Sequence, residues 1–263
     1  MKIRDVVAVI EQFAPLGLQA SYDNSGLIVG RLDDEVHCAL LAVDVTEEVM
    51  DEAEREGCDM IITHHPIIFN PLKRFNSSNY VERCVERAIR RGIALYASHT
   101  NLDSAPNGMS WRVGSMIGVE NMRVLEPQAG NPDVGFGVVG ELPVVEDAVD
   151  FMRRVAKIFD LKAVRHSDIP EVCCKVRRVA ICTGSGHSLI GDAHRAQADV
   201  YITGDLKYND FMMGENRMIL VDIGHFESEF CAINILDDVL SKNLCNFAVR
   251  KSLCSRTPIH YLL

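Results

Sequence analysis

Long apolar runs are missing from this chain of 263 residues. None approaches the roughly 18 residues that span a bilayer, so no membrane-embedded helix is expected. The Met-Lys-Ile-Arg start lacks the apolar core and small-residue cleavage site of a secretory signal. Basic residues are in deficit: 27 Lys and Arg against 37 Asp and Glu, a formal charge of −10. That balance argues against bulk binding to nucleic-acid backbones or anionic membranes, which needs a basic surface. It still allows a small anionic substrate held by metal ions. There is no low-complexity tract and no CxxC pair. The nine cysteines are odd in number and scattered, several inside apolar segments where the thiol acts as a small hydrophobe. Adjacent Cys173 and Cys174 make a poor disulfide candidate and lack zinc-site spacing. A reducing, cytoplasmic setting fits this cysteine usage best.

What is present is a globular composition, 48% hydrophobic and 24% charged, in a chain long enough for one large domain or two small ones. Ile3, Val6, Val7, Ile10 and Phe13 have helical spacing over 3–14. A turn cluster, Tyr22-Asp23-Asn24-Ser25-Gly26, leads into a short apolar run. A strand near 38–43 ends at Asp44. Thr46 then reads as the N-cap of a helix to Glu56, stopped by Gly57. Strand 59–63 follows, then a polar loop whose length and polarity mark Pro66–Tyr80 as a candidate lid. Helix 80–91, strand 93–97 and helix 107–118 complete the first series. Helix 145–159 opens a second, with strands near 162–165, 178–182, 199–203 and 218–223 and a long helix over about 225–241. Strands alternating with helices predict an α/β fold with mixed, mostly parallel sheets.

The second series repeats the first. Shifted by 140, Ala53, Arg55, Asp59, Ile62 and Thr63 fall on Ala193, Arg195, Asp199, Ile202 and Thr203. Shifted by 126, Ile93, His99 and Asp103 fall on Ile219, His225 and Glu229. A duplication follows, with residues 1–125 carrying His64, His65 and Asp103, and 126–263 carrying His225 and Glu229.

Three segments carry the chemistry. Ile61-Ile62-Thr63-His64-His65-Pro66 runs a strand into two histidines; His99 and Asp103 follow another strand, and His225 and Glu229 a third. In such sheets ligands bind beyond the carboxyl ends of the strands, so the segments can share one crevice. Residues four apart at a helix start face the same way. Adjacent strand residues point oppositely, so His64 and His65 serve one site only if the strand has ended, or else two ions side by side. Pro66 keeps His65 extended. Imidazole with carboxylate suits zinc, iron or manganese better than magnesium or calcium. A carboxylate can bridge two such ions, and the pair acidifies water and neutralises an anion. A lone histidine after a strand is more often a hydrogen-bonded surface residue. Adjacent histidines, with two more histidine–carboxylate segments at repeated places, favour metal.

Other candidates are weaker. Thr183-Gly184-Ser185-Gly186 lacks a Walker lysine and reads as a tight turn before a helix. Asp23 and Asn24 read equally as turn residues, and Asp44 and Asp222 as caps or partners of the site. His37, His166, His187, His194 and His260 show no partner pattern.

Tyr22-Asp23-Asn24-Ser25-Gly26-Leu27, Thr63-His64-His65-Pro66, Ser98-His99-Thr100-Asn101-Leu102-Asp103, Thr203-Gly204-Asp205, Gly224-His225-Phe226-Glu227-Ser228-Glu229 and Pro258-Ile259-His260-Tyr261-Leu262 together resemble the motifs of the GTP cyclohydrolase 1 type 2 homologues, the NGG-interacting-factor-three-like proteins. The resemblance covers nearly the whole chain. It implies two intertwined α/β repeats and two divalent ions per protomer between them. His65 and Asp103 would hold one ion, His64 and His225 the other, with Glu229 bridging; in a hydrolase, His99 would be a proton shuttle or a partner of the ligands. It also implies a ring-shaped homohexamer, a trimer of dimers. Asn209 and Val138 depart from a frequent histidine and arginine. Three functions fit: a metal-dependent hydrolase of a nucleotide or related heterocycle, a non-catalytic metal- or metabolite-binding scaffold, and a metal-dependent phosphoesterase.

Overall fold

Helical spacing of apolar residues sets the first element of the computed structural model, which describes residues 1–262. Helix α1 (Ile3–Phe13) buries Ile3, Val6, Val7 and Ile10. In chain order there follow β1 (Gly26–Val29), β2 (Cys38–Ala42), α2 (Glu47–Glu56), β3 (Met60–Thr63), α3 (Tyr80–Arg91), β4 (Ala94–Ala97) and α4 (Thr100–Ser104). Next come α5 (Met109–Met116), β5 (Glu120–Gln128), β6 (Asn131–Asp147), α6 (Ala148–Ile158), β7 (Arg165–His166), β8 (Lys175–Ser185), α7 (Ile190–Arg195), β9 (Val200–Gly204), β10 (Ile219–Asp222) and α8 (His225–Glu229). Last are α9 (Cys231–Asn243) and β11 (Ala248–Lys251). Two compact units result: Met1–Ala105 with Ala232–Arg256, and Pro106–Cys231 with Thr257–Leu263. The chain leaves each unit and returns to it, so the repeats are intertwined along the sequence. No helix among the described residues is long and apolar enough to cross a membrane.

The first unit is a five-stranded sheet in the order β1-β4-β3-β2-β11, parallel except where β1 meets β4. Every residue of β2, β3 and β4 is buried, which is why these strands read as unbroken apolar runs. Helices α2 and α3 lay Val49, Met50, Ala53, Cys84, Val85 and Ala88 against Leu40, Ile61 and Leu95. Each such Leu or Ile contributes on the order of 1.5–3 kcal/mol. Helix α2 begins where the sequence indicates: the Thr46 hydroxyl accepts from Val49 N, and Gly57 closes the helix at φ 68°.

The second unit is a six-stranded mixed sheet, β5-β6-β8-β9-β10-β7, with β8, β9 and β10 parallel. The β5–β6 hairpin is not legible in the sequence. Pro127 and the glycines of 135–140 argue against strand there, yet the close approach of β5 requires them: a Cβ on Gly135 would lie 2.1 Å from the Glu126 carbonyl oxygen. Val138, one of the two departures, is fully buried in β6, and Asn209 is exposed.

The duplication is visible in topology. β1-β4-β3-β2 repeats as β7-β10-β9-β8, each with an antiparallel edge strand. Ala39 pairs with Met60 and Val179 with Val200, both displaced by 140. The Asp59 carboxylate accepts from the N–H groups of His37 and Cys38, and Asp199 from those of Arg177 and Arg178. The second shift needs a correction. Ala94 faces Met60 and Ile219 faces Val200, so these strands are displaced by 125, from 94 to 219. The extra residue before His225 lies in the Ile223-Gly224 turn, where Gly224 has φ 88°. The helix expected over 225–241 is two, α8 and α9, and β11 adds an edge strand that its sequence does not announce.

Buried Glu52 ties the returning segment to the first unit. Its carboxylate accepts from the Ser252 hydroxyl and from the N–H groups of Leu253 (2.9 Å) and Cys254 (3.2 Å). Burial pushes its pKa up, but these donors more than offset that and hold it below the ordinary glutamate value. A folded-state pKa below the unfolded one stabilises above pH ~4.3 and is lost as pH falls through the folded value. Glu52→Gln is expected to lower unfolding free energy by about 1–3 kcal/mol at pH 7 and by less at pH 3.5, read from urea melts at both.

Candidate metal centre

Strand β3 ends at Thr63, which settles how two adjacent histidines turn the same way. The Thr63 hydroxyl donates to the His65 carbonyl (2.7 Å), and His65 N–H donates to Val43 O (3.0 Å). The two imidazole centroids lie 5.1 Å apart. His64 is fully buried; its Nδ1 meets the Ser98 carbonyl at 2.8 Å, and its Nε2 lies 3.8 Å from Asp103 Oδ1. His65 Nδ1 meets Asp44 Oδ1 at 2.8 Å. His99, at the start of α4, meets Asp23 Oδ1 through Nδ1 at 2.7 Å. Ligand atoms of His64, His65 and His99 all lie within 4.8 Å of one another, a group able to hold a metal ion.

Asp23 is a partner of the site rather than a plain turn residue. Besides His99 it accepts from Ser25 Oγ (2.8 Å), Thr100 N (3.0 Å) and the Thr100 hydroxyl. Its side chain is wholly shielded from solvent. Burial pushes its pKa up, but the hydrogen bonds and charge of His99, with those of Thr100 and Ser25, hold it well below the carboxylate range.

In the second unit His225 opens α8 and Glu229 lies one turn on, Nε2 to Oε2 3.0 Å. His225 Nδ1 meets Asp205 Oδ2 at 2.7 Å. Burial pushes the His225 pKa down, but the Glu229 and Asp205 carboxylates outweigh it and hold it at about 9. Buried Asp222 fixes both neighbouring turns, accepting from Leu206 N (3.0 Å) and Gly224 N (2.9 Å). Two glycines make room. A Cβ on Gly184 would lie 2.1 Å from Glu229 Oε1, and one on Gly204 would lie 2.9 Å from the His225 backbone. Gly184 thus belongs to strand β8 and clears space for a carboxylate.

The donor set fits a transition-metal ion of the zinc, iron or manganese kind. An Nδ1 proton given to an oxygen leaves Nε2 as the donor nitrogen, the usual state of ligating histidines. His37 and His194 are engaged elsewhere, with Asp59 and the Met213 carbonyl. Asp23 sits 76 residues from His99 in sequence, so only its turn context was visible beforehand.

A duplicated α/β protein with histidine–carboxylate segments at its strand ends is the class these features define. The chain belongs to the Duf34/NIF3 (NGG1p interacting factor 3) family, whose model matches residues 1–258. A Clostridium perfringens protein named GTP cyclohydrolase 1 type 2 homolog is 34% identical over 233 residues, covering 88% of this chain and 87% of the relative. The crystal structure of a Bacillus cereus protein related to NIF3 superposes with TM-score 0.90 at 23% identity, over 100% of this chain and 99% of that one, which shows the shared fold. Reduced HcgD from Methanocaldococcus jannaschii gives TM-score 0.81 at 28% identity, over 95% and 97%.

Proposed function

We propose that this chain holds two divalent metal ions and is a metal-dependent hydrolase of a nucleotide or related heterocycle. In this reading His65 and Asp103 bind one ion, His64 and His225 the other, and Glu229 bridges them. One observation supports it above the rest: the Nδ1 atoms of His64, His65 and His225 are each tied to an oxygen, so each imidazole is oriented and its Nε2 made the donor. Bound ions of this kind lower the pKa of water and neutralise an anion. In this reading His99, hydrogen-bonded to Asp23 and with its ring 5.2 and 5.3 Å from those of His64 and His65, would carry a proton at Nε2 or act as a partner of the ligands. The ring-shaped homohexamer belongs to the same reading and rests on the family resemblance.

Metal content per protomer tests it, by mass spectrometry on protein purified without chelators or affinity-column metal. About two equivalents are expected, falling below one in Glu229→Ala. No metal after supplementation would overturn the reading.

A further inference from the structure

Two cysteines 20 residues apart in sequence meet in the core of the first unit. Cys38 opens β2, and Cys58 stands two residues before β3. Their Sγ atoms lie 3.1 Å apart, so that one thiol donates to the other. Both are free thiols, buried in the cluster that α2 and α3 cover, Cys38 at 7% and Cys58 at 3% exposure. A metal ion does not account for the pair. Among the described residues, the groups of three or more side chains able to hold one include neither cysteine.

The backbone sets the two residues for a bond. Asp59 N–H donates to Cys38 O at 3.1 Å, and Ala39 pairs with Met60, so Cys38 lies opposite Asp59. Neighbouring strands stand about 4.8 Å apart, and one residue of offset puts the two Cα atoms about 5–6 Å apart, within the range that disulfides span. Strand alternation would turn Cys58 away from the face that Asp59 takes. Cys58 precedes the strand, directly after the left-handed Gly57, so its side chain is free to turn in toward Cys38. Closing the sulfurs to a bond of about 2.05 Å takes roughly 1 Å of movement, within reach of small rotations about the two Cα–Cβ bonds. Burial, then the neighbouring Cys38, push the Cys58 thiol up to about 12, which keeps it protonated and the resting pair reduced. Cys38 is the more exposed sulfur and follows exposed His37, so a small oxidant reaches it first.

The geometry points to Cys38 and Cys58 as an oxidative modification site, which hydrogen peroxide converts to a disulfide stapling β2 to β3 and a thiol reductant reopens. Cys38, as its thiolate, attacks one peroxide oxygen; the O–O bond breaks, and the departing hydroxide takes up the thiol's proton as water. The Cys58 sulfur then displaces the sulfenic hydroxyl, which leaves with the Cys58 proton as a second water. Two electrons pass from the sulfurs to the peroxide. The staple lies at the amino ends of β2 and β3, away from the strand-end histidines, and is independent of the metal reading.

The test treats the full chain with hydrogen peroxide, alkylates the remaining thiols in urea and maps the peptides by mass spectrometry. A peptide joining Cys38 to Cys58 is expected, two hydrogens lighter than the reduced pair, and dithiothreitol should release it. The thermal midpoint should rise by about 5–10 °C on oxidation and fall back with dithiothreitol, because a cross-link closing 20 residues restricts the unfolded chain. Cys38→Ala and Cys58→Ala should each abolish that reversible rise, whatever their own effect on stability. Cys174→Ser, at an exposed thiol, should keep it. The peptide map of the unaltered chain decides the matter even where a variant fails to fold. Cys38 and Cys58 recovered as free thiols, or joined only when peroxide is added in urea, would overturn the inference. So would a link that leaves the midpoint unmoved, or a reversible rise that survives Cys38→Ala.

Discussion

Gly184→Ala is expected to weaken metal binding at the second unit's ligands by at least a hundredfold, although position 184 bears no ligand. Two effects combine. Its φ of +64° is left-handed, which costs an alanine about 1–2 kcal/mol. The new methyl would also stand 2.1 Å from Glu229 Oε1, far inside non-bonded carbon–oxygen contact, so the carboxylate must swing away. Backbone cost and clash can be separated. Gly57 has nearly the same φ, +68°, with nothing within 4 Å of an added Cβ. Gly57→Ala should therefore lower stability by a similar backbone amount and leave metal content unchanged. Chelator competition and thermal melts on both variants make the comparison. Equal metal affinity in the two would mean that Glu229 is not a ligand or finds an equivalent position.

Asp44→Asn and Asp205→Asn are each expected to lower metal affinity about 10–100-fold with little change in fold. Asp44 and Asp205 are partly exposed, so the substitutions leave no buried void. The effect works through the imidazole proton. An aspartate accepts from Nδ1–H and leaves Nε2 to donate its electron pair. An asparagine amide can instead donate to Nδ1, which moves the proton to Nε2 and blocks coordination. Asp205→Asn also removes one of the two carboxylates that raise the His225 pKa to about 9, so that value should fall, as histidine NMR titration of the metal-free protein would show. Unchanged affinity in both variants would contradict the role given to Nδ1.

Much of this was legible in the sequence, for identifiable reasons. The strand-end histidines were found because buried parallel strands read as apolar runs and their carboxyl ends are where polar residues gather. The repeat was found because Asp59 and Asp199 perform the same hydrogen-bonding task in both halves. The β5–β6 hairpin was not, because its glycines answer to a neighbouring backbone rather than to strand propensity. The imidazole partners of Asp23, Asp44 and Asp205 are hidden for a related reason: each acts on a ring 20 or more residues away in sequence. No local pattern records such a pairing. The one-residue difference between strand and histidine offsets was equally hidden, since a gapless shift cannot separate a strand from the turn after it.

The return of the chain to its first sheet bears on how the protein is made. Strand β2 spans residues 38–42, but its outer neighbour β11 is residues 248–251. Ribosomes add roughly 5–20 residues per second, so β2 emerges about 10–40 s before the strand that covers it. Throughout that interval its outer edge offers unpaired N–H and C=O groups to any other nascent strand. Glu52 waits as long for Ser252, Leu253 and Cys254. Synthesis of the second half is therefore a period of vulnerability for the first, and shielding by chaperones matters most then.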